Sequence, residues 1–203
     1  MNTEPTVFIV DDDQGVREGV ALLMESIGLA AEAYPSAQAY LEAFDPARPG
    51  CLVLDVRMRG MSGLDLQQRL VGQPLSPPVV IITGHGDVPM AVRAVQAGAI
   101  DFIEKPFNDQ VLLDAVHRAL QRDAEVRGQA MRLADIKERL QRLTPREREI
   151  LDLIAAGRRN KVIAADLRIS QSTVEAHRAK VMEKLEARSL SDLMRMVLLA
   201  SGG

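Results

Sequence analysis

The sequence predicts an α/β domain built on a five-stranded, doubly wound parallel sheet, followed by a long helix and an all-α unit of four helices. Two observations carry this prediction. Through residue 106, short apolar runs rich in branched side chains alternate with segments of helical spacing, as strands buried on both faces of a parallel sheet do. From residue 144 onward the signals are helical only. Charge divides along the same line. Residues 1–106 hold 14 acidic and seven basic residues, 107–143 hold six and seven, and 144–203 hold eight and 11. An acidic first part and a basic last part imply two domains with different partners, although an excess of three positive charges does not by itself establish DNA binding.

The strand candidates are VFIV at 7–10, a weaker AAEAY at 30–34, CLVL at 51–54, VVII at 79–82 and AIDFI at 99–103. Helical spacing fills 14–27, 36–43, 63–71 and 88–97, and resumes from 108. Right-handed crossovers then place helices on both faces of an open sheet. Residues 107–143 contain no Pro and one Gly, Gly128, and Leu112, Val116, Ala119, Val126, Ala130, Leu133 and Leu140 recur at 4/3 spacing, with Asp123 and Lys137 interrupting it. Two readings stay open there: one long helix with a weak coiled-coil seam, or the last helix of the first domain plus a solvated linker. Thr144-Pro145-Arg146-Glu147 combines an N-cap, a Pro at the first helical position and a capping-box Glu, and Gly157 ends the helix that follows. Asn160 is placed to cap a short helix, Leu167-Arg168-Ile169 turns the chain, Ser170 caps a helix running to about Glu186, and a last helix covers about 190–200. The resulting division is 1–121 for the first domain, 122–142 for a helical linker and 143–203 for the last domain.

Composition excludes several function classes. With 47% hydrophobic and 26% charged residues the 203-residue chain is globular, and 3% aromatics with no Trp argue against an aromatic-caged sugar or quaternary-amine site. The single cysteine, Cys51, forms no intrachain disulfide and offers no cluster for zinc. No apolar run approaches the roughly 18 residues of a membrane span. The opening MNTEPTVFIVDDD lacks a basic segment followed by an apolar stretch, so the expected location is the cytoplasm, with no membrane partner.

Polar residues collect at one end of the predicted sheet. Asp11, Asp12 and Asp13 follow the first run, Asp55 follows CLVL, Thr83 follows VVII, and Lys105 lies just past AIDFI. In an open α/β sheet, ligands bind beyond the carboxyl ends of the strands. Carboxylates gathered there repel unless a cation sits among them, and an all-oxygen donor set suits magnesium (Mg2+). A Lys and a Thr hydroxyl suit an anionic group bound beside that metal. Taken singly each residue has a plainer role: an N-cap, a turn residue, a hydroxyl bonded to backbone.

The segments VFIVDDD, LVLDVRMRGMSGLDL, VVIITGHGD and AGAIDFIEKPF resemble the receiver domain of two-component response regulators over about residues 1–120. The resemblance implies a flavodoxin-like sheet of order 2-1-3-4-5. It implies that Asp55 accepts a phosphoryl group. Asp11 and Asp12 would hold magnesium together with Asp55 and the backbone carbonyl of Arg57. Thr83 and Lys105 would contact the phosphoryl group, Phe102 would report activation by its rotamer, and the Lys105–Pro106 peptide would be cis. One departure is Arg59, where the family usually has Pro, and the expected effect is on loop rigidity. His85 is a candidate influence on hydrolysis of the acyl phosphate, with a plain surface-loop histidine as the simpler reading.

Residues 160–186 have helix-turn-helix spacing, which a generic helical bundle would also show. The segment LTPREREILDLIAAGRRNKVIAADLRISQSTVEAHRAKVMEKL resembles the LuxR-type helix-turn-helix, and with TGHGDVPMAVRAVQAGA the whole chain resembles the FixJ subfamily of response regulators. On the second helix Val174, Val181 and Leu185 lie within about 40° of one another at about 100° per residue and face the core. Ser172, Glu175, Ala176, Ala179 and Glu183 lie on the side expected in the major groove, with Thr173 a further candidate for DNA contact, Glu175 able to accept from cytosine N4 and the alanines able to touch a thymine methyl. Lys161, His177, Arg178, Lys180 and Lys184 are candidates for phosphate contacts.

The resemblance implies a phosphorylation-activated DNA-binding transcription regulator. Its partners would be a sensor histidine kinase, double-stranded promoter DNA and a second copy of itself on phosphorylation, with RNA polymerase a further candidate. It would not be a turnover enzyme, self-dephosphorylation apart. Two rival readings remain open, a phosphotransferase or phosphatase using the same acidic cluster, and a constitutive DNA-binding protein whose receiver only dimerises.

Overall fold

The computed structural model describes residues 4–84 and 86–201. In chain order its first unit comprises β1 (Thr6–Val10), α1 (Gln14–Ser26), β2 (Ala30–Tyr34), α2 (Ala37–Ala43), β3 (Gly50–Asp55), α3 (Gly63–Leu70), β4 (Val79–Thr83), α4 (Val88–Gln96) and β5 (Asp101–Glu104). The strands form one parallel sheet of order β2-β1-β3-β4-β5, as expected. Successive side chains alternate between the two sheet faces. Val7, Ile9, Val53, Val80 and Ile82 pack with Val20 and Met24 of α1 and with Leu112 and Val116. Phe8, Val10, Leu52, Leu54 and Ile81 pack with Tyr40, Leu66, Leu70 and Ala94 from α2, α3 and α4. Cys51 belongs to the first of these layers, and burial pushes its thiol well above the ordinary range, so it packs as a small hydrophobe.

The weak signal of AAEAY has a physical cause. β2 pairs on one side only, and of its five residues Tyr34 alone is buried. β5 starts two residues later than the apolar run suggests. The Ala99 N–H donates to the Ala94 carbonyl that closes α4, and the Ile100 N–H donates to the Val79 carbonyl before the ladder begins. Asp55 and Thr83 are the last residues of their strands rather than the first residues beyond them.

A 33-residue helix, α5 (Asp109–Gln141), follows β5. The chain divides into two compact units after Arg127, within this helix. The coiled-coil seam is corrected. Leu112, Val116 and Ala119 lie in the sheet-packed core, Leu140 lies with Ile136 in the core of the second unit, and Ala130 between them is exposed. The 4/3 spacing arises because any helix that buries one stripe shows it. Asp123, which seemed to interrupt the seam, is 3% exposed and structural. Its carboxylate accepts from the Gly50 N–H at 2.9 Å and from Arg127 Nε at 2.8 Å. The Arg127 guanidinium also donates to the carbonyls of Pro46 at 2.8 Å, Arg48 at 2.6 Å and Leu75 at 3.3 Å. These bonds tie the middle of α5 to the loops beneath the sheet.

The second unit contains the end of α5, then α6 (Pro145–Ala155), α7 (Asn160–Leu167), α8 (Gln171–Lys184) and α9 (Leu190–Ser201). The Thr144 capping box forms in full, and Gly157, at φ +73°, follows the end of α6. Ser170 caps α8, accepting from the Thr173 N–H at 3.0 Å. Asn160 does not cap α7, which corrects the sequence reading. Arg159 occupies the N-cap without a side-chain bond, and Asn160 Oδ1 instead accepts from Arg178 at 2.8 Å, joining α7 to α8. The core of this unit is Ile150, Leu151, Ile154, Ile163, Val174, Val181, Leu185 and Leu193.

Candidate acidic site and nucleic-acid interface

The parallel register carries the predicted polar residues to one edge of the sheet. Val10 pairs with Leu54, Asp55 with Ile82, and Thr83 with Glu104, so Asp11, Asp55, Thr83 and Lys105 meet at the carboxyl ends of β1, β3, β4 and β5. Lys105 Nζ donates to Asp11 Oδ2 at 2.6 Å and to Asp55 Oδ1 at 2.8 Å. Asp11 is 1% exposed, Asp55 4% and Thr83 fully buried, whereas Asp12 is exposed. Carboxylate oxygens of Asp11, Asp12 and Asp55 lie within 4.8 Å of one another. An all-oxygen trio with one open member fits a hard divalent cation that keeps part of its water shell. The third acid of the run, Asp13, caps α1 instead, accepting from Gly15 at 2.8 Å and Val16 at 3.2 Å.

Electrostatics set the state of the site. Burial pushes the Asp55 carboxyl above its ordinary range, and Asp11 adds to this, against the opposing pull of Lys105 and the Arg57 N–H. Burial alone would lower the Lys105 ammonium, but its hydrogen bonds and charge pairs with Asp11 and Asp55 outweigh that and hold it above the usual lysine range. The arrangement is a recessed carboxylate next to a fixed cation and beside a potential metal position. It can accept an electrophilic anionic group whose charge is neutralised where it lands.

Several supporting residues escaped the sequence reading. A Cβ on Gly63 would stand 2.0 Å from the Asp55 carbonyl oxygen, so only glycine lets α3 begin this close to the end of β3. Arg17 on α1 donates to the Asp11 carbonyl at 2.8 Å and fixes that strand end. Phe102 is half-buried, and a Cβ on Gly86 would approach its ring to 2.9 Å. The Lys105–Pro106 peptide is cis, as the resemblance implied. His85 lies outside the described residues.

On α8, Ser172, Glu175, Ala176, Ala179 and Lys180 are exposed, while Val174, Val181 and Leu185 are buried beneath them. Thr173 is half-buried, with its hydroxyl 2.7 Å from that of Ser170. His177 is half-buried, and its Nδ1 has no partner among the described residues. Two cations of the predicted set are engaged within the unit, Arg178 by Asn160 and Lys184 by Glu147 at 2.6 Å. Lys161 and Lys180 have no carboxylate within 4.0 Å among the described residues, and the same holds for exposed Arg158, Arg159 and Arg168 around α7. The basic run GRRNK was the available signal for the first two of these arginines.

Comparison with known proteins agrees with both halves. The model described as response regulator receiver domain matches residues 7–117, and the one described as bacterial regulatory proteins, luxR family, matches 141–197. The transcriptional regulatory protein FixJ of Rhizobium meliloti is 46% identical over 201 residues, covering 99% of this chain and 98% of that protein. Nodulation protein W of Bradyrhizobium diazoefficiens is 45% identical over 195 residues, covering 96% and 86%. The solved structure of response regulator StyR matches with a TM-score of 0.87 at 46% identity, covering 96% of this chain and 98% of that one.

Proposed function

Because the chain belongs to the two-component response regulators that join a receiver domain to a LuxR-type DNA-binding domain, we propose that Asp55 is the phosphoacceptor through which a sensor histidine kinase switches its DNA binding. The chain is a phosphorylation-activated transcription regulator. The single observation that carries the assignment of Asp55 is the Lys105 ammonium bridging it to Asp11 at the strand ends.

Asp11, Asp12 and Asp55, with the Arg57 carbonyl, would hold magnesium, which supplies charge neutralisation for an incoming phosphoryl group. The protein's own residues do the rest. An Asp55 oxygen attacks phosphorus and the bond from phosphorus to the leaving group breaks. Lys105 shifts from the carboxylates toward the phosphoryl oxygens, and Thr83 supplies a hydroxyl to them. The carboxylate, with one negative charge, becomes an acyl phosphate that carries about two, with further strong acceptor oxygens. Phe102 then turns inward beside Gly86. The surface of α4, β5 and the first turns of α5, where Val88, Val92, Val95 and Val111 are exposed, becomes the pairing face of a homodimer. Two copies of α8 then meet a two-fold promoter site. Glu175, with Ser172, Thr173, Ala176 and Ala179, approaches bases, while Lys161 and Lys180 lead the phosphate contacts. The cycle ends in hydrolysis of the acyl phosphate, not in turnover of a small substrate. The expected setting is the cytoplasm, and RNA polymerase is a further partner. Among the described residues no helix is long and apolar enough to cross a membrane.

Incubation with acetyl phosphate and magnesium should add one phosphoryl group by mass and raise affinity for a DNA site recovered by binding-site selection. Asp55→Asn should do neither. Label at another residue of the wild type would overturn the assignment.

A further inference from the structure

At the amino end of β4, away from the acidic site, the first unit holds a cavity of ≈ 230 Å3. Its wall is mostly apolar, with Leu70, Pro77, Val79, Ile100 and Val126 among the lining residues. Helices α3 and α4 both end on it. Val71 and Gly72 close the first, Ala97 and Gly98 the second, with Gly72 at φ +83° and Gly98 at φ +85°. The carboxyl ends of two helices, each with partial negative charge, therefore meet at one space and favour a ligand that donates hydrogen bonds. Arg122 in the lining is exposed and already pairs with Glu125 at 3.6 Å, so an anionic ligand gains little.

Gln67 belongs to the same lining and is 2% exposed. Its Nε2 donates to the Ala94 carbonyl at 3.0 Å. That carbonyl can only accept, which fixes the amide with its nitrogen toward α4 and leaves Oε1 as an acceptor. Oε1 is buried and has no hydrogen-bond partner among the described residues. An acceptor in that state bears its full desolvation cost until a donor reaches it.

We propose that this cavity binds a small, uncharged molecule of one or two rings that carries an N–H or O–H group, with Gln67 Oε1 as the acceptor that recognises it. The size fits, because a cavity of roughly 150 Å3 already takes up benzene. The apolar wall covers the rings, and the orphan acceptor selects a donor over an otherwise similar hydrocarbon. None of the lining residues belongs to the acidic trio, so the inference stands apart from the reading of Asp55.

Indole and indene are suitable probes, since they share a shape and differ by an N–H in place of a methylene. Titrated into the full-length isotope-labelled protein and followed by NMR, indole should shift the amide signals of Gly72, Ala97, Gly98 and the Gln67 side chain, saturably and within its solubility. Indene should bind about tenfold more weakly, the scale of one buried hydrogen bond. In Gln67→Met, of similar length but without the acceptor, that ratio should fall to about one. Val126→Phe, which fills the cavity from α5, should weaken both probes, and Val16→Phe in the apolar groove beside α1 should weaken neither. The wild-type ratio decides the matter even where Gln67→Met fails to fold. Equal affinities for indole and indene in the wild type, shifts confined to the α1 groove, or no saturable shift with indole overturn the proposal. In the last case trapped water alone serves Gln67.

Discussion

Glu175 and Lys180 lie on the same exposed helix yet have opposite expected roles. A carboxylate gains nothing from DNA phosphates, so Glu175, exposed about 100° round the helix from buried Val174, makes sense against a base donor. Glu175→Gln should change base preference at one position by about 1–3 kcal/mol. Lys180→Ala should weaken binding to all sequences and reduce the salt slope by about one phosphate contact. Binding-site selection at several salt concentrations separates these outcomes, and a uniform loss from Glu175→Gln would reverse the helix orientation. Glu147 supplies a pH prediction. Its carboxylate accepts from Lys184 at 2.6 Å and from the Thr144 N–H at 2.8 Å, and these partners hold it at about 2 against an ordinary 4.5. A depressed folded value gives stability that is present above pH 4.5 and lost as pH falls toward 2. Discounted for solvent screening, the contribution is about 1–2 kcal/mol. The melting temperatures of wild type and Glu147→Gln should therefore differ at pH 7 and converge near pH 2.

At the scale of elements, α5 is held by Arg127. Removing that guanidinium leaves Asp123 as a buried, unpaired charge whose remaining partner is the Gly50 N–H. Arg127→Met should destabilise the first unit by about 3–5 kcal/mol in urea unfolding, and adding Asp123→Leu should recover part of that loss because no lone charge remains. One residue further, a Cβ on Gly128 would meet nothing within 4 Å. Gly128→Ala should accordingly stabilise α5 by about 0.5–1 kcal/mol, seen as slower amide exchange around residues 126–133. Faster exchange there would mean that the glycine is kept for a bend. Asp123 also shows why the connector was hard to read. A charge at a seam position argues for a solvated helix in sequence, yet here it is a buried tie to a backbone N–H 73 residues away.

At the scale of the molecule, the proposed dimerisation would use the exposed valines of α4 and the start of α5. Val88 is 77% exposed, on an element whose other face packs on the sheet. Val92→Glu should still accept one phosphoryl group, but its mass by light scattering should stay monomeric where the phosphorylated wild type doubles, and its affinity for a two-fold DNA site should fall. Doubling that survives the substitution would place the pairing face elsewhere.

The sequence by itself determined the strand and helix alternation, the caps at Thr144 and Ser170, and the placement of Asp11, Asp55, Thr83 and Lys105 at strand ends. These are local properties: apolar period, capping chemistry and the fixed direction of parallel strands. Tertiary structure alone decided which polar groups pair. It gave Asp13 to a helix cap, Arg178 to Asn160, Lys184 to Glu147 and Asp123 to Gly50 and Arg127. It also required Gly63, through the approach of α3 to the Asp55 carbonyl. A side chain's charge is written in the sequence, but its partner depends on which segments pack within about 3 Å of it, and that distance is fixed only when the whole core closes.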